Sequence, residues 1–301
     1  MPLVDVVVVS FNSRDELRSC VSPLAGGEDI NVIVVDNDST DGSPQAVADL
    51  PVTIIQLDEN HGFSRGCNVG WRSGDAPYVL FLNPDARIEE SSLRRLISAL
   101  EQQPAVGLVG PKLVGEDGTL HFSQRRFPRL LSTFSDALFV HRLFPRRRWA
   151  HEVIHDERAY GRAQSPEWVS GACMLVRRSA LVAVGGFDEG FFLYCEDDDL
   201  CRRLWQTGHS VAYEPAAVAT HVGGASAPRS TLLPVVAASQ LRYARKYHGR
   251  AVALVFRLGI GLGALTHLLA SRGGASARAG HARTLALVAR PWVVPPFQRR
   301  A

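Results

Sequence analysis

The chain has no acidic residue after Glu214. All 30 Asp and Glu precede position 215 together with 21 of the 33 Lys and Arg, so that body is net −9, while the remaining segment carries 12 basic residues and is net +12. The formal total of +3 hides this split. A segment so one-sided seeks an anionic surface, either lipid headgroups or nucleic acid. Cysteine is scarce too: five residues (Cys20, Cys67, Cys173, Cys195, Cys201), odd in number and without CxxC spacing, argue against a disulfide framework or a zinc knuckle and read as reduced, core-filling thiols. No GxGxxG follows the first apolar run, which disfavours an ordinary dinucleotide site, and there is no GxxxxGK[ST] phosphate loop. His151 and His155 are four apart, but without HExxH they do not suggest zinc. The first five residues lack a basic n-region and a small-residue cleavage site, so the expected location of catalysis is cytoplasmic.

What is present is apolar and ordered. With 301 residues, 46% of them hydrophobic, the chain can bury a large core. Apolar, β-branched runs at residues 4–9, 31–35, 52–57 and 79–82 alternate with helical patterns, which predicts an α/β fold with a doubly wound, mostly parallel sheet. Asn12 or Ser13 is placed to cap the first helix, with Glu16 positioned for a capping box. Leu93, Leu96, Ile97 and Leu100 mark a surface helix over 91–103, and 106–113 reads as a further strand. Residues 130–164 read as irregular, a mobile acceptor-side loop containing the basic and aromatic cluster 145–149, and 168–178 as one strand.

Polar residues gather at the strand ends. Phe11, Asn12, Asp36, Asn60 and Asp85 all sit at or just past the end of a strand, on the sheet edge where open α/β folds form a ligand crevice. For Asp36 and for Asn83-Pro84-Asp85 a plain turn or helix-cap role competes with a ligand role. Four successive acids, Glu196 to Asp199, open an amphipathic helix fixed by Leu200 and Leu204. They gain from the helix dipole but repel one another, so a structural account must find partners for all of them.

The segments VVVVSFN, VVDNDSTDGS, NHGFSRGCNVG and VLFLNPDA, in this order, resemble the inverting nucleotide-sugar glycosyltransferases of the GT-A fold, glycosyltransferase family 2, and within it the rhamnosyltransferase-like enzymes of cell-envelope polysaccharide assembly. The acids and the residues after them match that family's ED-x-D-L-C-x-R element. The resemblance implies that Phe11, Asn12, Asp36, Asn60, Gly62, Asn68, Asn83 and Asp85 form the nucleotide-donor site. It implies that Asp197 is the catalytic base of an inverting transfer. Trp168, Gly171, Glu196 and Asp199 would face the acceptor or donor sugar, with Glu196 and Asp199 orienting the acceptor or bracing the loop. Asp85 and His221 would hold Mg²⁺ or Mn²⁺. Because Asn83 stands at the first acid of that motif, a variant that many relatives using deoxysugar donors share, a single carboxylate remains in it, and the donor diphosphate must supply further oxygens. Arg125 and Arg126 lie in a further resembling element, where contact with diphosphate or acceptor and a solvated basic loop are equally open readings.

The implied organisation is a catalytic domain over 1–228, with a nucleotide-donor half to about residue 110 and an acceptor half from 111, followed by a basic, partly helical extension over 229–301. The implied partners are a dTDP- or UDP-sugar donor, a glycan or lipid-linked acceptor and an anionic membrane surface, and not nucleic acid. Within the extension, residues 251–270 are apolar except for Arg257, Thr266 and His267. A central Arg and several glycines disfavour a span, so a helix lying on the membrane surface is expected, with Leu254, Leu258, Leu262, Leu265 and Leu269 as its apolar stripe. The competing expectation is that this stripe packs on the protein. The last residues are expected to be poorly ordered.

Overall fold

The computed structural model describes residues 1–145, 147–223, 228–270 and 274–290. In chain order the elements begin with β1 (Val4–Ser10), α1 (Arg14–Val21), β2 (Ile30–Asp36), a 3-10 turn (Pro44–Val47), β3 (Thr53–Gln56), α2 (Phe63–Arg72), β4 (Tyr78–Leu82) and β5 (Ala86–Ile88). Next come α3 (Glu90–Gln102), β6 (Val106–Val114), β7 (Leu120–His121), β8 (Gln124–Arg125), α4 (Leu130–Ala137), α5 (Val140–Leu143) and a 3-10 turn (Glu157–Gly161). The chain ends with β9 (Trp168–Val169), β10 (Cys173–Arg177), α6 (Arg178–Val184), α7 (Glu196–Gln206), β11 (Ser210–His221), α8 (Arg229–Ala270) and α9 (Gly274–Ala289). Two compact units result. The first comprises residues 1–125, 156–189 and 196–223, and the second comprises 126–155, 190–195 and the chain from 224 onward.

The first unit is built on one sheet of order β3-β2-β1-β4-β10-β6-β11-β5, with β7 also paired to β6. β3, β2, β1 and β4 are parallel, β10 runs antiparallel between β4 and β6, and β11 returns to the parallel sense beside β6. Every residue of β1 and β4 is buried, as the unbroken apolar runs require of strands covered on both faces. The sheet is mostly parallel, as expected. Its order reverses at β1, so a crevice opens at the C-terminal ends of β1 and β4.

Three local features explain the sequence. Gly62 starts α2 with φ 87°, a backbone conformation open to glycine, and a Cβ at Gly66 or Gly70 would lie 2.6 Å from Val9 Cγ1 or 2.3 Å from Val7 Cγ1. These glycines let α2 lie directly on β1. At the opposite edge of the sheet Asp5 is fully buried. Its carboxylate accepts from Asn31 Nδ2 at 2.7 Å, from Ala76 N–H at 2.9 Å and from Arg178 Nη2 at 2.5 Å, which ties β1, β2 and α6 together. The expected capping box at α1 does not form. Ser13 and Arg14 instead donate their N–H groups to Ser43 Oγ and Asp41 Oδ2, both at 2.9 Å, so the loop after β2 caps the helix after β1. Those acceptors are about thirty residues away in the chain, beyond the reach of a local capping pattern.

The single strand expected over 168–178 is two. β9 pairs with β8 in a separate small sheet, β10 enters the main sheet, and Ser170, Gly171 and Ala172 form the link. In the second unit, the expected irregular loop carries α4 and α5. The first escaped the pattern because it buries Ser132, Ser135 and Ala137 while exposing Leu131, the reverse of a core helix, and the second because it is four residues long and buries none of them. Within α8, Gly249 (φ 73°, ψ 174°) breaks the helix into two. The leucine stripe is not packed on the protein: Leu254, Leu258, Leu265 and Leu269 are 50%, 62%, 43% and 78% exposed. The expectation for the terminal residues falls outside the described residues, as does Arg146 of the basic cluster.

Replacing Gly70 by Ala is expected to destabilise the protein by about 1 to 3 kcal/mol, because the added methyl overpacks the α2–β1 contact. Equilibrium urea unfolding measures it, and an unchanged midpoint would contradict the packing argument.

Candidate active site

β4 ends in a turn that also presents a carboxylate. Ala86 N–H donates to Asn83 O at 3.0 Å with Pro84 between them, a β-turn whose third residue is Asp85. Turn and presentation are one arrangement here, so the two readings of Asn83-Pro84-Asp85 do not compete. Asp85 Oδ1 lies 3.3 Å from Nε2 of His221, the last residue of β11, and Asp85 Oδ2 accepts from Gly223 N–H at 3.2 Å. The pairing is fixed by the sheet, since His221 registers with Ala86 of β5. Burial pushes the Asp85 carboxyl up, but the hydrogen bond and charge of His221 and nearby backbone N–H groups outweigh it, so the group lies below its ordinary value.

The Asp85–His221 donor pair suits a hard divalent cation. A separation of 3.3 Å is close to the edge, about 3 Å, of an octahedron with metal–ligand bonds of about 2.1 Å. Among the described residues no cluster of three or more His, Cys, Asp or Glu is arranged to hold a metal. A cation held by this pair would take the rest of its coordination shell from a ligand's oxygens and water.

The ends of β2 and β3 are braced by amides. Asp36 is buried; its Oδ2 accepts from Ser39 N–H at 3.1 Å, and its Oδ1 has no hydrogen-bond partner among the described residues. A buried acceptor of this kind is costly unless a ligand completes it. Asn37 Nδ2 donates to Asn60 Oδ1 (2.9 Å) and Gly62 O (3.2 Å), while its Oδ1 accepts from His61 N–H (3.0 Å). The loop after β3 is thereby fixed against the end of β2. Phe11 is exposed, and Asn12, with φ 51°, binds the Ser39–Thr40 backbone and hydroxyl groups. Asn68 is fully engaged within the protein. Its Oδ1 accepts from Trp71 Nε1 and Phe187 N–H, and its Nδ2 donates to Phe187 O and Glu189 Oε1, all at 2.8 to 2.9 Å. With its hydrogen-bonding capacity used, Asn68 shapes the site by holding the loop after α6.

The four acids of α7 resolve into distinct environments. Asp199 is fully buried and ion-paired with Arg203 Nε at 2.8 Å, which braces the helix. Glu196 is buried, and that burial together with the neighbouring Asp197 charge pushes its carboxyl well above the ordinary range. Asp198 is buried as well. Only Asp197 keeps partial solvent access. Its Oδ2 accepts from Gly171 N–H and its Oδ1 from Asp198 N–H, both at 3.0 Å, leaving a further lone pair on each oxygen. Burial raises its pKa; the Gly171 hydrogen bond, the Arg125 charge and the Asp198 N–H reduce the rise without cancelling it. Tyr194 and Cys195, immediately before α7, both have positive φ (69° and 63°), the strained backbone that aims the first turn of acids.

Two contacts were not foreseen. The Arg125 guanidinium stacks over the Trp168 ring at 5.2 Å, which places its charge beside Asp197 and accounts for Trp168 being covered. The His121 ring meets His221 edge to face at 5.9 Å, because the two-residue β7 pairs with β6. A strand that short leaves no periodic signal, although the basic loop around Arg125 did mark its region.

Residues 5–185 match the sequence signature of Glycosyl transferase family 2. The chain is 33% identical over 234 residues to the N-acetylglucosaminyl-diphospho-decaprenol L-rhamnosyltransferase of Mycobacterium tuberculosis, covering 73% of this chain and 76% of that protein. It is 30% identical over 228 residues to rhamnosyltransferase WbbL of Escherichia coli K12, covering 73% and 83%. Among solved structures, the Pyrobaculum calidifontis mannosyltransferase PcManGT, in complex with GDP-Man and Mn²⁺, superposes with a TM-score of 0.57 at 18% identity, over 99% of this chain and 83% of that one. GalNAc-T7 with UDP, GalNAc and Mn²⁺ gives 0.55 at 12% identity over 83% and 51%. The fold is thus of the GT-A type. The sequence signature and the two rhamnosyltransferases place the chain in glycosyltransferase family 2, and it is a glycosyltransferase.

Proposed function

We propose that the protein transfers a sugar, with inversion, from a nucleotide-sugar to a hydroxyl of a lipid-linked saccharide at the inner face of the cell membrane. The observation that carries this reading is that residues 171 and 172 bond to both halves of one site: Gly171 N–H holds Asp197 and Ala172 O accepts from Asn83 N–H, which opens the Asp85 turn, at 3.0 Å each. A base and a turn whose carboxylate would hold a cation, on one short backbone link, suit a single displacement. The sugar is rhamnose in the names of two relatives, and one of these acts by name on a decaprenol-linked N-acetylglucosamine. The donor dTDP-rhamnose follows from the motif resemblance, with a UDP-sugar as the other nucleotide choice.

In this mechanism the buried, incompletely bonded Asp36 accepts from the base or ribose of the donor. Asp85 and His221 would hold Mg²⁺ or Mn²⁺, whose charge stabilises the nucleoside diphosphate as it leaves. Asp197 takes the proton of the acceptor hydroxyl. That oxygen bonds to the anomeric carbon as the bond from this carbon to the phosphate oxygen breaks on the opposite face, and the electron pair leaves with the diphosphate. The carboxylate must be ionised to act. Its raised pKa therefore places the acid limb of the pH profile above the ordinary aspartate value of about 3.9. The basic segment from residue 215 draws the enzyme to the anionic surface that carries such an acceptor.

Replacing Asp197 by Asn is expected to lower kcat by about 10²- to 10⁴-fold while donor affinity is kept. Steady-state transfer assays paired with donor titration measure this, and unimpaired turnover would remove the base assignment. A smaller loss, about tenfold, is expected for Gly171→Ala, whose methyl would meet Asp197 Cβ at 3.3 Å. For the cation, calorimetry should show binding of Mn²⁺ at least about tenfold weaker without nucleoside diphosphate than with it. Tight binding to the protein alone would contradict a site with two protein ligands. A thermal-shift screen of dTDP-, UDP- and GDP-sugars identifies the donor, and a protein that binds one yet transfers nothing would be a scaffold instead.

A further inference from the structure

The second unit is packed inside out. In the half of α8 after Gly249, the residues turned inward include Ala253, Gly259 and Ala264, with Phe256 the large exception. α9 buries Ala277, Gly280 and Thr284, and α4 buries Ser132, Ser135 and Ala137. Close approach depends on this smallness: a Cβ at Gly259 would lie 3.0 Å from Thr133, and one at Gly263 would lie 3.5 Å from the Ala137 backbone. The large apolar side chains point outward. Leu131, Leu138, Leu143, Phe144 and Trp149 are exposed in and around α4 and α5, as are Val252, Leu254, Val255, Leu258, Leu265 and Leu269 in α8. Most of the exposed large hydrophobic side chains among the described residues therefore belong to this unit.

A water-soluble bundle does the opposite, since burying leucine is what drives its helices together. Where lipid surrounds helices that driving force vanishes, and small residues pack while large ones face the chains. The polar groups follow the same rule. Arg257 donates to the carbonyls of Val288 and Arg290 at the end of α9, and Thr266 Oγ1 donates to Ala137 O at 2.6 Å and Gly263 O at 3.1 Å. Internal carbonyls satisfying a guanidinium and a hydroxyl is how such groups persist next to hydrocarbon. Only 22% of the most apolar 18-residue window of α8, with mean hydropathy 1.8, is buried within the protein. Charge supports the match: the segment from residue 215 has no acid, Arg147 and Arg148 lie between the exposed Phe144 and Trp149, and the one acid of residues 130–144, Asp136, lies 3.6 Å from His141 Nδ1.

The structure assigns α4 and α5 to the same lipid-facing surface as α8, so that residues 130–144 insert into an anionic bilayer together with the half of α8 after Gly249. This rests on the proposed membrane attachment and extends it from a C-terminal helix to a composite face built from two distant parts of the chain. It also gives the segment first read as an acceptor-side loop a different partner, the bilayer itself.

The test is flotation of the full-length protein with vesicles of phosphatidylglycerol and phosphatidylcholine, in low salt and in about 1 M salt, where charge attraction is screened within about 3 Å. Wild type should float in both, because inserted side chains do not depend on charge. A Leu138→Glu, Leu143→Glu double variant and a Leu258→Glu variant should each lose recovery at least about tenfold. The neutral pair Leu138→Gln, Leu143→Gln should lose less. Val182→Glu, on an exposed position of α6 in the first unit, should float like wild type, and circular dichroism checks that every variant is folded. If the α4–α5 variants float normally while Leu258→Glu does not, the composite face is refuted and the membrane reading stands. If wild type floats with no vesicle, the membrane reading fails with it. If Val182→Glu also loses recovery, the loss is not specific to this face and the assignment is overturned.

Discussion

The site depends on an antiparallel strand inserted into a parallel sheet. β10 runs against β4, with Cys173 opposite Leu82 and Met174 opposite Phe81, and so brings the start of one strand beside the end of another. Without that reversal, the Gly171 N–H and the Ala172 carbonyl would lie at the far edge of the sheet from Asp85. The two hydrogen bonds that use them are modest, about 0.5 to 1.5 kcal/mol for a neutral pair and more where a carboxylate accepts. Their effect is positional. They draw rigidity from a strand whose residues are almost wholly buried, and so they hold two loops in register.

How legible this was in the sequence depended on whether a feature was local. Apolar runs gave β1, β2, β4 and β6 nearly to the residue, because a strand covered on both faces needs no partner to declare itself. The ends of those strands named Asp36 and Asp85, since the edge of a parallel sheet is set by where each run stops. The acids of α7 were visible as a group, but their sorting was not. Which one is neutralised by Arg203, which is simply buried and which keeps solvent depends on contacts beyond the helix. The same limit explains the cap of α1, the role of Asn68 and the split of β9 from β10. Each is decided by residues that the chain brings back from far away. Glycines in NHGFSRGCNVG were legible as a motif, while their reason, the contact of α2 with Val7 and Val9, was not.

The helices α4 and α5 escaped for another cause. Sequence patterns identify helices by assuming that large apolar residues point inward, and α4 and the latter half of α8 invert that assumption. The leucine stripe at helical spacing is legible as a face, and four of its five members are exposed, in line with the expectation of an outward face rather than with its competitor, packing on the protein. Composition supplied the one early clue, since a segment with basic residues and no acids was already set apart from the body.

Arg257 shows what such packing implies for how the chain is assembled. By itself, α8 meeting hydrocarbon would carry a bare guanidinium near its middle, at a cost of about 2.5 to 3.5 kcal/mol. With α9 alongside, the same group is received by the carbonyls of Val288 and Arg290, and those carbonyls, at a helix end, are in turn provided with a donor. Neither helix is suited to lipid alone. On the proposed reading of this face, closure of the helix pair lowers the cost of meeting hydrocarbon, so that insertion is favoured once the pair has folded.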